Sequence, residues 1–495
     1  MKAKMTVYNR EIGKRNPMIF GHFIEHFHRQ IYDGIFEPGS PLSDSMGFRK
    51  DVIEALSRIK VPIIRWPGGC FASAYNWKYG VGNRVPVFDK AWRVEEHNTF
   101  GTDEFIEFCR RVGAEPYICT NAGTGTEEEM SEWVEYCNLQ DLGRWTRLRR
   151  ENGHPDPYNV KFWSIGNEPY LRGEMGAKES DEWAIFVREA AKMMKRVDSS
   201  IKLLAASAAD NLNRDWIGKM LQKAGDYLDY LSIHGYWDPL GRENKPSSYE
   251  VCMARSANPE EMIMKTEYIL GALGFLGKIH IAFDEWNLRG WHHPFTGNRE
   301  ADIEARNLND DNSQYTMADA VFSSVFLNAC LRHCNTVTMA NFSPTVNTRG
   351  MIYTHPNGIV LRTTYHVFDL YVNHTQPVVL DSHSESESFD VGEKEVPALD
   401  AVATCSEDWK TLSLCMVNRS LNESLKLELH LPWITNARAK QLALCGKSHD
   451  SFNDIKNPNE VVPEAHDLGE IKPLSTIELS PHSVNILIIS IALSS

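Results

Sequence analysis

Short apolar runs recur along much of the chain, and each of them has a glycine or a polar or charged residue at or next to its end. Eight such runs occur, and their β-branched and aromatic residues are typical of strands that are buried on both faces. The runs are 17–22, 61–69, 115–121, 160–168, 201–207, 230–236, 279–287 and 336–342. Between them, apolar residues recur every three or four positions, which is typical of amphipathic helices. Examples are 48–59, 102–112, 181–194 and 315–327.

Eight buried strands that alternate with helices predict an α/β fold, the (β/α)8 TIM barrel. After about residue 350 the helical periodicity fades, and short alternating strands follow at 401–405, 411–417, 425–431 and 483–489. This change predicts a C-terminal β-sandwich, with a polar surface loop at 381–388. We therefore expect a catalytic barrel over residues 15–348 and a β-sandwich domain over 349–495, with residues 1–14 pairing with the second domain.

The composition favours a globular protein and argues against a nucleic-acid-binding, membrane or secreted one. The chain has 495 residues, of which 42% are hydrophobic, so it can bury a large core. A net charge of −14 without a basic stripe argues against nucleic acid or an anionic membrane as a partner. The first residues lack the apolar core of a signal peptide, and no uncharged apolar segment is long enough to span a membrane. The ten cysteines are scattered, so we expect reduced, mostly buried thiols and a cytoplasmic protein.

A metal motif is suggested near the N-terminus, where His22-Phe-Ile-Glu-His26 matches the H-x-x-E-H pattern of zinc proteases. That pattern brings both histidines to one metal only on a helix, where positions four apart are neighbours. Here a strand precedes the motif and loop-like residues follow it, so the two histidines are expected to be far apart. We interpret the segment as the exit of the first barrel strand, with Glu25 or a histidine facing the pocket. A polar strand end without a ligand is the alternative.

Two glutamates stand at predicted strand ends: Glu168 in Ser-Ile-Gly-Asn-Glu-Pro and Glu285 in Phe-Asp-Glu-Trp-Asn. They belong to the fourth and seventh strands, whose ends meet at the mouth of a closed barrel. Such a pair suits glycoside hydrolysis, because one carboxyl group protonates the leaving oxygen while the other attacks the anomeric carbon. A separation of about 5–5.5 Å retains the configuration of the sugar, and about 6.5–9.5 Å inverts it. Either glutamate alone is equally well explained as a loop residue in an ion pair.

Together with further motifs, these residues resemble the α-L-arabinofuranosidases of glycoside hydrolase family 51, which are retaining enzymes of clan A. The resemblance covers most of the chain. It implies a barrel with a C-terminal β-sandwich, no metal or other cofactor, and a homo-oligomer, either a trimer or a hexamer. The matching motifs lie at 21–26 with 34–38, 65–69, 75–78, 166–169, 234–236, 284–286, 347–350 and 363–368.

The resemblance also implies roles for the matching residues. Glu168 would be the acid/base and Glu285 the nucleophile of a double displacement. Asn167 would hydrogen-bond to the 2-hydroxyl of the sugar, an interaction that strengthens in the transition state.

Four further residues receive roles around this pair. Glu25 and Arg65 would hold ring hydroxyls, with Arg65 also offering a charge near the carboxylates. His234 and Tyr236 would orient and polarise the nucleophile.

Three positions depart from the family pattern within the predicted pocket. Cys70 follows the paired glycines where many relatives have Asn, and a thiol is a weak hydrogen-bonding group. Trp291 or Arg289 would shape the wall that an aromatic residue forms in other members. Arg349 falls where some relatives have Gln. These changes bear on the identity of the sugar more than on the mechanism.

The leading hypothesis is a retaining exo-α-L-arabinofuranosidase that releases terminal arabinofuranose from arabino- or arabinoxylo-oligosaccharides. A β-D-galactofuranosidase, or another furanosidase on the same scaffold, is the alternative, because its sugar matches the ring and adds one hydroxymethyl group. Two alternative hypotheses lie outside the furanosidases. One is a non-catalytic sugar-binding protein with the same barrel, and the other is a zinc-dependent protease.

Overall fold

The computed structural model describes residues 1–208, 214–240, 244–290, 297–435 and 437–491. The α-helices are α1 (Lys50–Arg58), α2 (Thr102–Val112), α3 (Glu127–Asn138), α4 (Arg144–Glu151), α5 (Ser180–Val197), α6 (Arg214–Ala224), α7 (Tyr249–Ala254), α8 (Asn258–Ala272), α9 (Arg299–Asn307), α10 (Met317–Arg332) and α11 (Thr363–His374). The strands are β1 (Lys2–Lys14), β2 (Gly21–Phe23), β3 (Ile63–Trp66), β4 (Val87–Phe88), β5 (Glu95–Glu96), β6 (Glu115–Thr120), β7 (Phe162–Ile165), β8 (Lys202–Ala206), β9 (Tyr230–Pro239), β10 (His280–Gly290), β11 (Val337–Phe342), β12 (Ile352–His355), β13 (Gly358–Leu361), β14 (Val378–Ser386), β15 (Ser388–Val391), β16 (Lys394–Pro397), β17 (Leu399–Cys405), β18 (Thr411–Asn418), β19 (Leu425–His430), β20 (Ala437–Leu444), β21 (Glu464–Ile471), β22 (Leu474–Leu479) and β23 (Ser483–Ile491).

A closed barrel of eight parallel strands forms the larger part of the molecule. Around the barrel the order is β2, β3, β6, β7, β8, β9, β10 and β11. Each of the eight predicted apolar runs contributes one of these strands, and the four predicted helices are present as α1, α2, α5 and α10. In the first run the predicted strand is misplaced, because Pro17–Phe20 form a 3-10 helix and the strand is Gly21–Phe23. Helices cover the outside of the barrel and side chains fill its inside. Because both faces of each strand are buried, the strand sequences are almost continuously apolar. The predicted TIM barrel is therefore confirmed.

The inside of the barrel is filled by layers of side chains. One layer is apolar, and seven strands contribute to it with Ile63, Tyr117, Phe162, Leu204, Tyr230, Ala282 and Met339. Alternate residues of a strand face the same side, so the residues two positions further along also face inward. Five of those are polar and buried: Arg65, Ser164, Ser232, Asp284 and Asn341. The interior thus becomes polar toward the carboxyl ends of the strands, where enzymes of this fold carry their active sites.

The second part of the molecule is a nine-stranded sheet with the order β21, β20, β23, β18, β17, β14, β1, β19 and β22. Its strand pairs are antiparallel except for β1 with β19. Strands from both ends of this order, β22 on one side and β20 and β21 on the other, contribute to one apolar core. The sheet therefore folds over on itself, which confirms the predicted β-sandwich. β1 lies inside the sheet, whereas the predicted domain limit at 348/349 stays a prediction.

Two sequence predictions for this region are wrong. Residues 381–386 belong to β14 and pair with β1, with Ser384 opposite Met5, instead of forming a surface loop. Their Asp, Ser and Glu side chains disfavour strands, yet the backbone hydrogen bonds to β1 hold them there. Helical structure also continues beyond residue 350, because α11 follows the last barrel strand. Most of α11 is buried, so it lacks the polar face that marks an amphipathic helix.

The cysteines agree with the expectation of reduced, mostly buried thiols. All ten cysteines are free thiols, and eight of them are buried. Buried thiols behave as small apolar side chains. Cys70 and Cys445 are partly exposed. Within the described residues, no helix combines the length and the apolar character that crossing a bilayer requires.

Candidate active site

The two histidines of the N-terminal motif have separate contacts. The first lies on strand β2 and the second in the irregular segment that follows, so they do not share a helix face. His26 Nδ1 lies 3.0 Å from Glu96 Oε2, and the indole of Trp66 donates to Nε2 at 3.0 Å, so both ring nitrogens are occupied. His22 packs against Phe368, and its burial lowers its pKa to about 3. The segment is the exit of the first barrel strand, as the sequence predicts.

Glu25 lies at this strand exit, beneath the loop that follows β3. Its Oε1 accepts a hydrogen bond from the backbone N–H of Phe71 at 3.0 Å. Burial and the nearby charge of Glu285 raise the pKa of Glu25 well above its usual value. Gly68 has a φ of 144°, and a Cβ at this position would lie 2.3 Å from Glu25 Cγ. Only glycine therefore lets the loop pack against this carboxyl group.

Glu285 lies on β10, and each of its two carboxylate oxygens has a fixed partner. Arg65 Nη1 donates to Oε2 at 2.7 Å, and the Tyr236 hydroxyl donates to Oε1 at 2.8 Å. The same hydroxyl lies 2.9 Å from Ser343 Oγ, on the loop after the last barrel strand. A carboxylate held in this way has a defined orientation, which a nucleophile requires.

Arg65 connects the strand of Glu285 with the strand end that carries Glu168. Its Nη2 donates to Asn167 Oδ1 at 2.7 Å, and its Nε lies 3.5 Å from Asp284 Oδ2. The guanidinium is completely buried, and it remains charged because the surrounding acidic groups outweigh the effect of burial on its pKa. Asn167 Nδ2 is buried without a partner among the described residues. The site therefore holds a donor that a substrate hydroxyl can accept from.

His234, on β9, stands between three carboxyl groups. Its Nδ1 lies 2.9 Å from Glu168 Oε1 and 3.6 Å from Glu285 Oε2. Its Nε2 lies 3.5 Å from Asp284 Oδ1. Burial disfavours the charged ring, but the three carboxyl groups outweigh it and raise the pKa of His234 to about 10. At neutral pH the side chain is thus an imidazolium that links the two glutamates.

Asp284 is a site residue to which the sequence analysis gives no role. The Tyr117 hydroxyl donates to its Oδ2 at 2.6 Å. Burial alone would raise the pKa of Asp284, but Arg65 and His234 hold it at about 2. The pairing of β10 with β9 is irregular between Ala282 and Glu285. Such a bulge re-aims side chains, and here two consecutive carboxylates enter the same site.

Cys70 and Glu174 lie on another side of Glu168. The Cys70 sulfur and one carboxylate oxygen from each glutamate lie within 4.8 Å of one another. Burial and the neighbouring carboxyl groups raise the pKa of the Cys70 thiol well above its usual value. Burial also raises the pKa of Glu174. The sequence analysis misses Glu174, because it lies in an irregular loop whose path depends on the tertiary structure.

Arg349 lies buried near the same site. Its Nη1 donates to the Gly290 carbonyl oxygen and to Asn309 Oδ1, both at 3.2 Å. Burial lowers the pKa of Arg349 to about 10, while Tyr315, Tyr236 and the acidic groups Glu25 and Glu285 partly offset that effect. The structure therefore brings this charge close to the carboxyl groups of the site.

The wall predicted from Trp291 or Arg289 is not formed by Arg289. Its Nε and Nη2 each donate to Asp319 at 2.8 Å, and its Nη1 donates to Asp238 at 2.5 Å. All three guanidinium nitrogens of Arg289 thus donate to buried carboxylates. The prediction that Arg289 forms the pocket wall is therefore wrong. Trp291 lies outside the described residues.

The site also contains the atom types that bind metals. Among the described residues, two sets of such atoms lie within 4.8 Å of one another: Cys70, Glu168 and Glu174, and Glu168, His234 and Glu285. Ligands lose their protons when they bind a metal, and in this site the neighbouring carboxyl groups raise the pKa of both the His234 imidazole and the Cys70 thiol. The arrangement suits hydrogen bonding and proton transfer.

Comparison with known proteins agrees with this chemistry. The model of the "Alpha-L-arabinofuranosidase 1 domain" matches residues 55–252, and that of the "Alpha-L-arabinofuranosidase C-terminal domain" matches residues 284–483. An "Intracellular exo-alpha-(1->5)-L-arabinofuranosidase" of Halalkalibacterium halodurans is 34% identical to this chain, covering 84% of the chain and 85% of the relative. The chain belongs to the α-L-arabinofuranosidases of glycoside hydrolase family 51.

Other members of this α-L-arabinofuranosidase family span nearly the whole chain. An "Intracellular exo-alpha-(1->5)-L-arabinofuranosidase 1" of Bacillus subtilis is 31% identical and covers 98% of both sequences. The crystal structure of an α-L-arabinofuranosidase from Thermotoga maritima in complex with arabinose matches with a TM-score of 0.89 and 35% identity. That match covers 99% of this chain and all of the other. The protein is therefore a glycoside hydrolase.

Proposed function

We propose that the protein is a retaining exo-α-L-arabinofuranosidase that releases terminal arabinofuranose from arabino- or arabinoxylo-oligosaccharides. The proposal depends mainly on the spacing of Glu168 and Glu285, which have carboxylate oxygens within 4.8 Å of each other. Retaining glycosidases hold their two carboxyl groups about 5–5.5 Å apart, whereas inverting enzymes leave about 6.5–9.5 Å for a water molecule. The short spacing favours direct attack by a carboxylate over attack by water.

In the first step, Glu285 attacks the anomeric carbon and forms a glycosyl ester while the glycosidic C–O bond breaks. Glu168 gives its proton to the departing oxygen. Arg65 and Tyr236 keep the attacking carboxylate in place through their hydrogen bonds to its two oxygens. The buried amide of Asn167 would donate to the 2-hydroxyl of the sugar.

In the second step, Glu168 takes a proton from water, whose oxygen attacks the anomeric carbon and displaces Glu285. Glu168 is an anion at this stage, and the adjacent imidazolium of His234, 2.9 Å away, stabilises that charge. The same imidazolium lies 3.6 Å from Glu285, where it favours the departing carboxylate. The charge of His234 thus stabilises Glu168 or Glu285, whichever of the two is ionised.

The named relatives support the substrate and the location. Two of them are named intracellular exo-α-(1→5)-L-arabinofuranosidases, and one solved relative is an arabinose complex. We infer an arabinofuranose-containing oligosaccharide as the substrate and the cytoplasm as the location. The comparisons do not favour the alternative β-D-galactofuranosidase. A homo-oligomeric state stays a prediction.

The experiment compares Glu285→Ala with Glu168→Ala on substrates with good and poor leaving groups. Glu285→Ala is expected to abolish turnover of both. Glu168→Ala is expected to keep cleaving an aryl α-L-arabinofuranoside with an acidic phenol, which needs little protonation, and to lose the oligosaccharide. Azide should accelerate Glu168→Ala and yield an arabinosyl azide with the configuration of the substrate.

The first product formed by the wild type provides an independent check. Proton NMR recorded within the first turnovers should show the α-anomer of arabinose before mutarotation mixes the anomers. Glu393→Ala, an exposed carboxylate in the turn between β15 and β16, is the control variant and should behave like the wild type. Initial release of the β-anomer, or equal residual activity of both active-site variants on both substrates, would contradict the mechanism.

A further inference from the structure

We propose that Glu174, which lies beside Cys70, binds a hydroxyl group of the leaving sugar and so makes the enzyme selective for saccharide leaving groups. This inference rests on the proposed function and deepens it. It assigns a binding role to Glu174, which takes no part in the two chemical steps.

The position of Glu174 relative to the acid/base carries the proposal. Glu168 belongs to two compact groups of side chains, one with His234 and Glu285 and the other with Cys70 and Glu174. The first group contains the nucleophile and therefore surrounds the anomeric carbon. The oxygen that Glu168 protonates connects that carbon with the leaving group. Because Glu174 has a carboxylate oxygen within 4.8 Å of one of Glu168, it is placed to meet the leaving group.

The loop that carries Glu174 is closed on itself. The backbone N–H of Leu171 donates to the Glu168 carbonyl at 3.0 Å, and that of Glu174 donates to the Leu171 carbonyl at 2.9 Å. The N–H of Lys178 donates to the Pro169 carbonyl oxygen at 2.9 Å, which closes the loop between these two residues. These bonds bring Glu174 back beside the residue at which the loop begins. The backbone position of Glu174 is thus fixed before any substrate binds.

The hydrogen-bonding state of Glu174 points to a ligand. Glu174 is only 9% exposed, and the Cys70 sulfur lies within 4.8 Å of one of its carboxylate oxygens. Its Oε1 is buried and has no partner among the described residues. A buried polar atom without a partner is costly, and a sugar hydroxyl, which both donates and accepts, would satisfy it. An aryl leaving group has no such hydroxyl.

The test compares kcat/KM for a (1→5)-linked arabinobiose with kcat/KM for a nitrophenyl α-L-arabinofuranoside. Glu174→Ala is expected to lower the value for the disaccharide roughly ten-fold more than the value for the aryl substrate, as the loss of one buried hydrogen bond implies. Glu174→Gln keeps a donor and an acceptor at the same place and should recover most of the loss. Glu393→Ala is the control for a glutamate removed elsewhere.

The possible outcomes distinguish a failure of the Glu174 inference from a failure of the proposed function. Equal losses on both substrates would mean that Glu174 acts through Glu168, and unchanged kinetics would mean that it binds nothing; either result overturns the inference. In both cases the wild type still cleaves both substrates and the proposed function stands. A wild type that cleaves neither substrate would overturn both. Retained aryl hydrolysis by each variant shows that the variant has folded.

Discussion

Replacing His234 by Asn tests whether a positive charge links the two glutamates. An asparagine keeps a neutral amide close to the position of Nδ1, which lies 2.9 Å from Glu168 Oε1, and removes the charge. The wild-type side chain has a pKa of about 10. It therefore carries its charge through the whole neutral range, and the variant is compared with the wild type across pH.

The contribution of the His234 charge to the free energy of unfolding can be calculated from the shift of its pKa. The value rises from 6.5 to about 10 in the folded protein. At about 1.4 kcal/mol per unit, this corresponds to at most about 5 kcal/mol of stabilisation. Because the folded pKa is the higher one, the contribution is complete below pH 6.5 and is lost as the pH rises through 10. The free energy of unfolding of the wild type should approach that of His234→Asn over this window.

Urea unfolding of both proteins between pH 6 and 10 measures the difference. His333→Asn is the matched control, because Glu260 and Glu267 outweigh burial and raise the pKa of His333 to about 9. Both substitutions should remove pH-dependent stability, but only His234→Asn should lower kcat, by roughly 10- to 100-fold for a lost charge-assisted hydrogen bond. Parallel stability profiles of His234→Asn and the wild type would refute the imidazolium.

Two further predictions concern residues around the site. Gly68→Ala should raise KM at least several-fold, because its Cβ would lie 2.3 Å from Glu25 Cγ and displace that carboxyl group; steady-state kinetics with unchanged KM would contradict this packing. Arg289→Met should lower the free energy of unfolding by about 3–5 kcal/mol, because the buried Asp319 carboxylate loses its arginine partner, while Asp238 keeps Arg255. The folded fraction should keep the kcat of the wild type, and a lost kcat at normal stability would show that Arg289 acts in the site.

The barrel and its two glutamates are predictable because their signals are local. A strand covered on both faces must be apolar along its length, so a run of β-branched residues identifies it without knowledge of its neighbours. The end of such a run at the open face of the barrel is where polar side chains collect. Glu168 and Glu285 both stand at such an end, and their proximity follows from closure of the barrel.

The parts of the site that the sequence analysis misses depend on irregular backbone. Asp284 and Glu285 are adjacent, and in a regular strand adjacent side chains face opposite sides; only the irregular pairing of β10 brings both inward. Glu174 reaches Glu168 through loop hydrogen bonds that carry no residue pattern. The wrong placement of Arg289 in the pocket has a similar cause, because its partner Asp319 lies on a helix 30 residues away along the chain.

The wrong predictions in the C-terminal part have a related cause. β14 continues into polar residues because β1 supplies hydrogen bonds from the far end of the chain. α11 is buried on most of its surface, so its sequence lacks the alternation of faces that a periodicity search detects. In both elements the tertiary neighbours decide the conformation, and no window of sequence contains those neighbours.

The place of β1 inside the C-terminal sheet has a consequence for synthesis of the protein. The Trp433 indole donates to the Val7 carbonyl oxygen at 3.1 Å across a separation of 426 residues. A ribosome adds about 5–20 residues per second, so the first strand waits roughly 20 to 85 seconds for this partner. During that time its Met5 and Val7, both fully buried in the finished protein, are exposed beside a growing barrel. Protection of this nascent segment, by a chaperone or by transient contacts, is therefore a requirement that the topology places on the cell.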